Sequence, residues 1–376
     1  MKILVAGDYC PCFRLADLME SGNYSAVFGN SPKWTSNADY SIVNLECPVS
    51  EIGDYSIKKR GPNLSCLPRD VEALKWAGFN CVTLANNHFF DYGNKGVERT
   101  LRACKQYSLD YVGGGLNTAE ASQILYKTIN NEKLAIINCC EHEFSIATQL
   151  DGGANPLNPI KQYYSIIEAK NIADYVVVIV HGGHEHYPLP STRMQEIYRF
   201  YIDAGADAVV NHHQHCYSGY EIYNGKPIFY GLGNFCFDEE PVLVNKPYNF
   251  GYVVLLSLKN EEIGFELYPY EQCGEKAGVF ELPLTTFSEK INELNEIITD
   301  YNKLQEQEQL YYKSTYSNIE AVLNSNKNRA HRFLKRIFAP SKQFSPDYIL
   351  KLYNLFLCES HRDRLISFLQ SKYKSL

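Results

Sequence analysis

The chain reads as an α/β protein whose sheet is largely covered by helices. Three observations predict this. Apolar, β-branched runs recur through the first two-thirds of its 376 residues, and stretches with helical apolar spacing lie between them. The runs end in polar residues, histidines above all, where open α/β sheets build their sites. A composition that is 45% hydrophobic allows a large core, in two domains or in one large domain with an appendage.

In chain order, the predicted strands are Ile3 to Ala6, Tyr40 to Leu45, Cys81 to Ala85, Leu134 to Cys139, Tyr175 to Val180 and Ala208 to Val210. The first is expected to enter a loop at Gly7. Between them, Arg69 to Ala77 is expected to be a helix stopped by Gly78. Asn94 to Tyr107 carries Val97, Leu101 and Cys104 at helical spacing, and Met194 to Ala204 stops at Gly205. After residue 215 the pattern turns to hairpins. Tyr217 to Tyr223 and Lys226 to Tyr230 flank Asn224-Gly225, and Val253 to Leu258 and Ile263 to Tyr268 flank a polar turn at Asn260. A mostly antiparallel edge or second sheet follows from that. Beyond Pro283, the spacing of Ile291, Leu294, Ile298, Tyr301 and Leu304 predicts helices. We therefore divide the chain into a domain at 1–282 and a helical appendage at 283–376. Pro340 and Pro346 break the appendage before a last amphipathic helix containing Tyr348, Leu352, Leu355 and Phe356. The basic stretch Lys327 to Arg336 reads as a solvated helix face rather than a contact surface.

The net charge is −7, which argues against a nucleic-acid footprint and against broad attachment to anionic lipid. No segment approaches the length of a transmembrane span. The amino terminus, Met1-Lys-Ile-Leu-Val-Ala-Gly7, is too short an apolar run for a signal peptide. Twelve cysteines without paired CxxC spacing are expected to be reduced thiols of a cytoplasmic protein.

Six of the ten histidines fall between His181 and His215, at the carboxyl ends of two predicted strands. Asp8, Glu46 and Asn87-His88 follow three other strands at the same kind of end. Neutral imidazoles fix ligand geometry and carboxylates can bridge two divalent ions about 3.5 to 4 Å apart, so Asp8, Glu46, Asn87, His181, His213 and His215 form a candidate metal centre. The alternative is a set of buried, hydrogen-bonded histidines.

The blocks Gly7-Asp8, Asn44-Leu-Glu46, Leu84-Ala-Asn-Asn-His-Phe-Phe-Asp-Tyr-Gly93, His181-Gly-Gly-His-Glu-His-Tyr187, His213-Gln-His215 and Tyr230-Gly-Leu-Gly-Asn-Phe235 resemble the bacterial capsule-synthesis CapA/PgsA family over about residues 2 to 270. The fold of that family is similar to calcineurin-like metallophosphoesterases. The resemblance implies a four-layer sandwich, two sheets flanked by helices, with one or two divalent ions of Mn, Fe or Zn type at the strand ends. It implies Asp8 as a ligand of the first ion, Glu46 at the bridging position and Asn87 as a ligand of the second. His181, His213 and His215 would be the remaining ligands, the last two on one side of an extended segment. His88 would protonate a leaving oxygen, with Asp91 orienting it.

Cys10 stands where metallophosphoesterases carry a histidine. Asn211 replaces a glycine and Gly182 an aromatic residue, changes expected to alter pocket shape. Glu185 and His186 are candidates to touch substrate, as are the cations Arg14, Lys59 and Arg60, and Glu141-His142-Glu143 is a candidate pocket wall. The expected function is metal-dependent hydrolysis of a phosphomonoester or phosphodiester linked to capsule or cell-envelope polymer synthesis. The alternative is an assembly factor for capsule or poly-γ-glutamate that binds polymer, or partner proteins through its terminal helices.

Overall fold

Strand β1 (Lys2–Cys10) shows how alternation in the sequence becomes layers. Ile3 and Val5 face one core and Leu4 and Ala6 another, because successive side chains of a strand point to opposite faces. The computed structural model describes residues 1–242, 244–259, 262–324 and 345–373; Asn260, the Lys327 to Arg336 stretch and Pro340 lie outside them.

The next elements are helices α1 (Arg14–Glu20), α2 (Tyr24–Phe28) and α3 (Ser31–Ser36), strand β2 (Tyr40–Leu45), α4 (Pro68–Trp76), β3 (Cys81–Thr83), α5 (Gly93–Gln106) and β4 (Asp110–Val112). Strands β1 to β4 run parallel, and Leu15, Phe28, Leu74, Val97 and Leu101 from the helices cover their outer face. After β5 (Gly114–Gly115) and α6 (Thr118–Ala121) come β6 (Leu125–Ile129), β7 (Glu132–Cys140), β8 (Gly153–Ala154), α7 (Pro159–Ile172), β9 (Tyr175–His181), α8 (Thr192–Asp203) and β10 (Ala208–His212). β9 lies between β7 and β10, parallel to both, and every residue in it is buried. A run of β-branched residues suits that position, since both faces are covered. Val176, Val178 and Val180 pack under α7 and α8, while Val177 and Ile179 meet Ile3, Val5 and Ile42 of the first sheet. The result is helices, sheet, sheet, helices, the four layers the resemblance implies. Side chains start several of the helices; in α7 Asn158 accepts from Lys161 N–H ahead of Pro159, and in α8 Ser191 accepts from Met194 N–H.

The hairpins extend both sheets. β11 (Tyr220–Tyr223) and β12 (Lys226–Phe229) form the edge of the second sheet, with β12 parallel to β10. β13 (Asn234–Phe237) is followed by β14 (Phe250–Lys259) and β15 (Glu262–Gln272), which add antiparallel strands beside β1, with β16 (Val279–Glu281) outermost. β1 does not enter a loop at Gly7. It continues to Cys10 because β13, which was not read from its sequence, pairs in parallel with its second half.

The carboxyl-terminal part consists of α9 (Thr285–Thr299), α10 (Tyr301–Asn324), α11 (Pro346–Leu357) and α12 (Glu359–Tyr373) among the described residues. α9 belongs to the main cores: Phe287 and Ile291 pack between the sheets, and Leu294 and Ile298 under the second. α10 to α12 share a small core of Ile319, Leu355, Leu365 and Phe368. The helix expected to be last, around Tyr348 to Phe356, is followed by α12 after a one-residue break at Cys358. No helix among the described residues is long and apolar enough to cross a membrane, and all twelve cysteines are free thiols.

Candidate metal centre

Parallel strands of both sheets end at one place. The pairing of β1 with β2 shifts register between Ala6 and Asp8, a bulge that re-aims the Asp8 side chain. Gly7 permits it, since an added Cβ would lie 1.9 Å from the Gly233 carbonyl oxygen. Asp8 accepts from Asn44 Nδ2 at 2.7 Å and from His213 N–H at 3.2 Å. Glu46, just past β2, is fully buried and faces His181 Nε2 at 3.5 Å and His215 Nε2 at 3.7 Å. Asn87 follows β3, and its Oδ1 is 3.0 Å from His181 Nε2, which is itself 3.0 Å from His213 Nδ1. All six side chains proposed as ligands from the sequence are thus within one cluster.

His213 and His215 do not lie on an extended segment. β10 ends at His212, and the two ligand candidates have φ of 91° and 55°. Left-handed backbone at two non-glycine residues costs on the order of 1–3 kcal/mol each and persists where surrounding contacts enforce it. His215 Nδ1 meets Asn234 Oδ1 at 2.8 Å, and its ring packs against Phe237 and Tyr248. His212 points back between the sheets, with Nε2 3.1 Å from the Ala6 carbonyl.

The electrostatics suit a cation. Both Glu46 carboxylate oxygens are buried and accept no hydrogen bond among the described residues. Burial, and then the Asp8 carboxylate, push the Glu46 pKa well above the usual carboxylate range. Burial and then the His213 charge hold His181 well below its ordinary value, so its imidazole is neutral and has a lone pair to give. Ligand atoms of Glu46, His181 and His213, of Asp8, Glu46 and His215, and of Glu185, His213 and His215 each fall within 4.8 Å of one another. These His, Asp and Glu groups, buried except for Glu185, could bind metal ions, and a bound cation would offset the cost of an unpaired buried carboxylate.

Around the cluster, Asp91 Oδ2 lies 2.7 Å from His88 Nδ1 and also accepts Leu64 N–H at 2.7 Å. Lys59 pairs with Asp91 and approaches His88 Nδ1 at 3.0 Å. His186 is exposed and packs beside His215 and Tyr248, whereas His184 turns away to Tyr312 of α10. Arg14 is committed elsewhere: Nε and Nη2 hold Asp238 at 2.8 and 2.6 Å, and Nη1 and Nη2 donate to three carbonyls at Cys273 to Glu275. The Cys10 thiol lies against Cys12 and Cys47. Asn211 Nδ2 ties the Gly182 and Tyr230 carbonyls, and a side chain at Gly182 would come within 2.7 Å of Glu141.

Sequence reading gave no role to Asn44, which links Asp8, Thr83 and Asn86. An amide inside an otherwise apolar, fully buried strand was the available signal. It also missed the carboxyl-terminal wall. A cavity of ≈ 700 Å³ opens from Asn87, His88, Glu143 and Glu185 and is lined by Lys59, Arg60, Lys351, His361 and Arg364, the last three from α11 and α12.

The fold and cluster define a two-sheet α/β protein with a buried His/Asp/Glu cluster that could bind metal ions. Residues 2–239 match the family described as bacterial capsule synthesis protein PGA_cap, and the chain belongs to it. It is 34% identical over 247 residues to the capsule biosynthesis protein CapA of Bacillus anthracis, covering 64% of this chain and 60% of that one. It is 36% identical over 205 residues to the PGA biosynthesis protein CapA of Bacillus subtilis strain 168, covering 54% of each. The chain therefore spans 60% or less of these relatives' own length. Among solved structures, a putative 5'-nucleotidase from Staphylococcus aureus superposes with a TM-score of 0.44 at 15% identity, over 80% of this chain and 58% of that one.

Proposed function

We propose that this protein is a metal-dependent hydrolase of an anionic phosphoester linked to capsule or envelope polymer synthesis. The observation that carries the reading is Glu46: a buried carboxylate with no hydrogen bond among the described residues, set among three imidazoles beside a cation-lined cavity. Asp8, Glu46, Asn87, His181, His213 and His215 would hold one or two ions, and their mixed oxygen and imidazole donors suit Mn, Fe or Zn. Such ions supply positive charge that polarises a phosphoryl oxygen and lowers the pKa of water.

The protein's own groups do the rest. Lys59, Arg60, Lys351 and Arg364 offset the charge of the anionic substrate in the cavity. Water adds to phosphorus, the ester P–O bond breaks, and His88 delivers a proton to the departing oxygen. Asp91 accepts from His88 Nδ1 and is itself held by the Lys59 ion pair, leaving Nε2 without a hydrogen bond among the described residues. Purified protein with Mn is expected to hydrolyse a chromogenic phosphodiester, and His181→Ala or Asn87→Ala to abolish that activity. Equal rates in the variants would overturn the reading.

A second reading, an assembly factor that binds polymer or a partner protein without turnover, is favoured by α11, where Ile349, Tyr353 and Phe356 are 52%, 51% and 56% exposed. Metal analysis separates the two. Less than one equivalent of tightly held metal, with no activity on adding Mn, would favour assembly.

A further inference from the structure

Cys358 is the only residue between α11 and α12, and His361 follows it by three positions in the first turn of α12. Facing them is Glu143, from the segment after β7. One donor atom from each, a thiol, an imidazole and a carboxylate, falls within 4.8 Å of the others. We propose that Glu143, Cys358 and His361 form a second metal site, separate from the strand-end centre, that takes a zinc-type divalent cation and clips the terminal helices to the core.

Four features support it. The donor set mixes sulfur, nitrogen and oxygen, which suits a borderline-soft ion such as zinc rather than the hard ions that prefer all-oxygen shells. Zinc bond lengths of about 2.0–2.3 Å put tetrahedral donor atoms about 3.3–3.8 Å apart, so the side chains would need to close by at most about 1.5 Å. The second shell is present: His361 Nδ1 is 3.2 Å from Asn354 Oδ1 and 3.4 Å from the Asn354 carbonyl, an acceptor-only group, so Nδ1 carries the proton and Nε2 is the free donor. Finally, the backbone carrying the ligands is anchored. Ser360 N–H and Oγ both donate to Glu141 Oε2, at 3.2 and 2.5 Å, and Glu359 receives His142 N–H at 2.8 Å.

Charge balances as well. A thiolate and a carboxylate neutralise a dication; burial and the Glu143 and Glu141 carboxylates push the metal-free Cys358 thiol up, so it is a bound cation that would hold the thiolate. Glu141, 3.9 Å from the sulfur, is already held by Arg193 at 2.6 Å and by Ser360. Glu143 makes no ion pair with a cationic side chain among the described residues. Glu143 and His361 also line the ≈ 700 Å³ cavity. The site does not depend on the hydrolase reading.

Cobalt distinguishes this site from the strand-end cluster, whose grouped donors include no sulfur. Full-length protein stripped with a chelator and titrated with Co²⁺ is expected to develop a thiolate-to-cobalt charge-transfer band in the near ultraviolet that saturates at a single equivalent. Cys358→Ser and His361→Ala, checked by circular dichroism, should lose the band and one equivalent of bound zinc, while Cys10→Ser keeps both. A wild-type protein with no such band at saturating Co²⁺, or a band that survives Cys358→Ser or vanishes in Cys10→Ser, would overturn the assignment.

Discussion

At Glu46, stability and function oppose each other. Two buried carboxylate oxygens without hydrogen bonds among the described residues, close to Asp8, destabilise the metal-free protein, and bound cation would reverse the sign. Glu46→Gln keeps the shape and removes the charge, so the metal-free Tm should rise while the Mn-dependent increase in Tm disappears. In the wild type the Mn-dependent stabilisation should reach about 2.7 kcal/mol at a hundredfold excess over Kd. A variant still stabilised by Mn would remove Glu46 from the ligand set. His88→Ala should lower kcat by about 10²–10⁴ with a poor alkoxide leaving group and far less with nitrophenolate, because only the former needs a proton. An equal loss on both substrates would indicate that His88 holds the phosphoryl group instead. Asp8, Glu46, Asn87 and the three imidazoles could be read from the sequence because each follows a recognisable strand. The handedness of the backbone at His213 and His215 could not, because contacts from β13 and Tyr248 impose it.

Among the elements, α12 is tied to the core by polar contacts. Arg193 of α8 bridges Glu141 at 2.6 Å and Asp363 at 2.7 Å, joining the end of β7 to the terminal helix. Truncating one partner of a buried charge network strands the others, at a cost of about 3–5 kcal/mol. Arg193→Ala should therefore release α12: hydrogen exchange should rise across residues 359–373 and leave β9 protected. Unchanged exchange in that helix would mean that apolar packing at Leu365 and Phe368 suffices. Strands β2, β7, β9 and β10 were legible as β-branched runs, whereas β13 was not, because its pairing with β1 more than two hundred residues away defines it, and the two-residue strands carry no periodicity.

Across the whole molecule, the boundary drawn at residue 282 falls just before a helix that the cores use. Phe287, Ile291, Leu294 and Ile298 are each no more than 4% exposed, and burying each contributes about 1.5–3 kcal/mol. Truncation after Leu282 should give aggregated or poorly folded protein, while truncation after Asp300 should fold with a lower Tm and an open cavity. Soluble yield and thermal melts would test this; equal behaviour of the two truncations would show that α9 is dispensable.

The sequence by itself determined the α/β layering, the family and the six-residue cluster, because those depend on local periodicity and on motifs that stand at strand ends. Only the tertiary structure decided that Arg14 is tied to Asp238, that Lys59 joins His88 and Asp91, and that Arg364 and His361 wall the cavity. Those relations span up to hundreds of residues and follow from how helices dock on sheet ends, which no local pattern encodes.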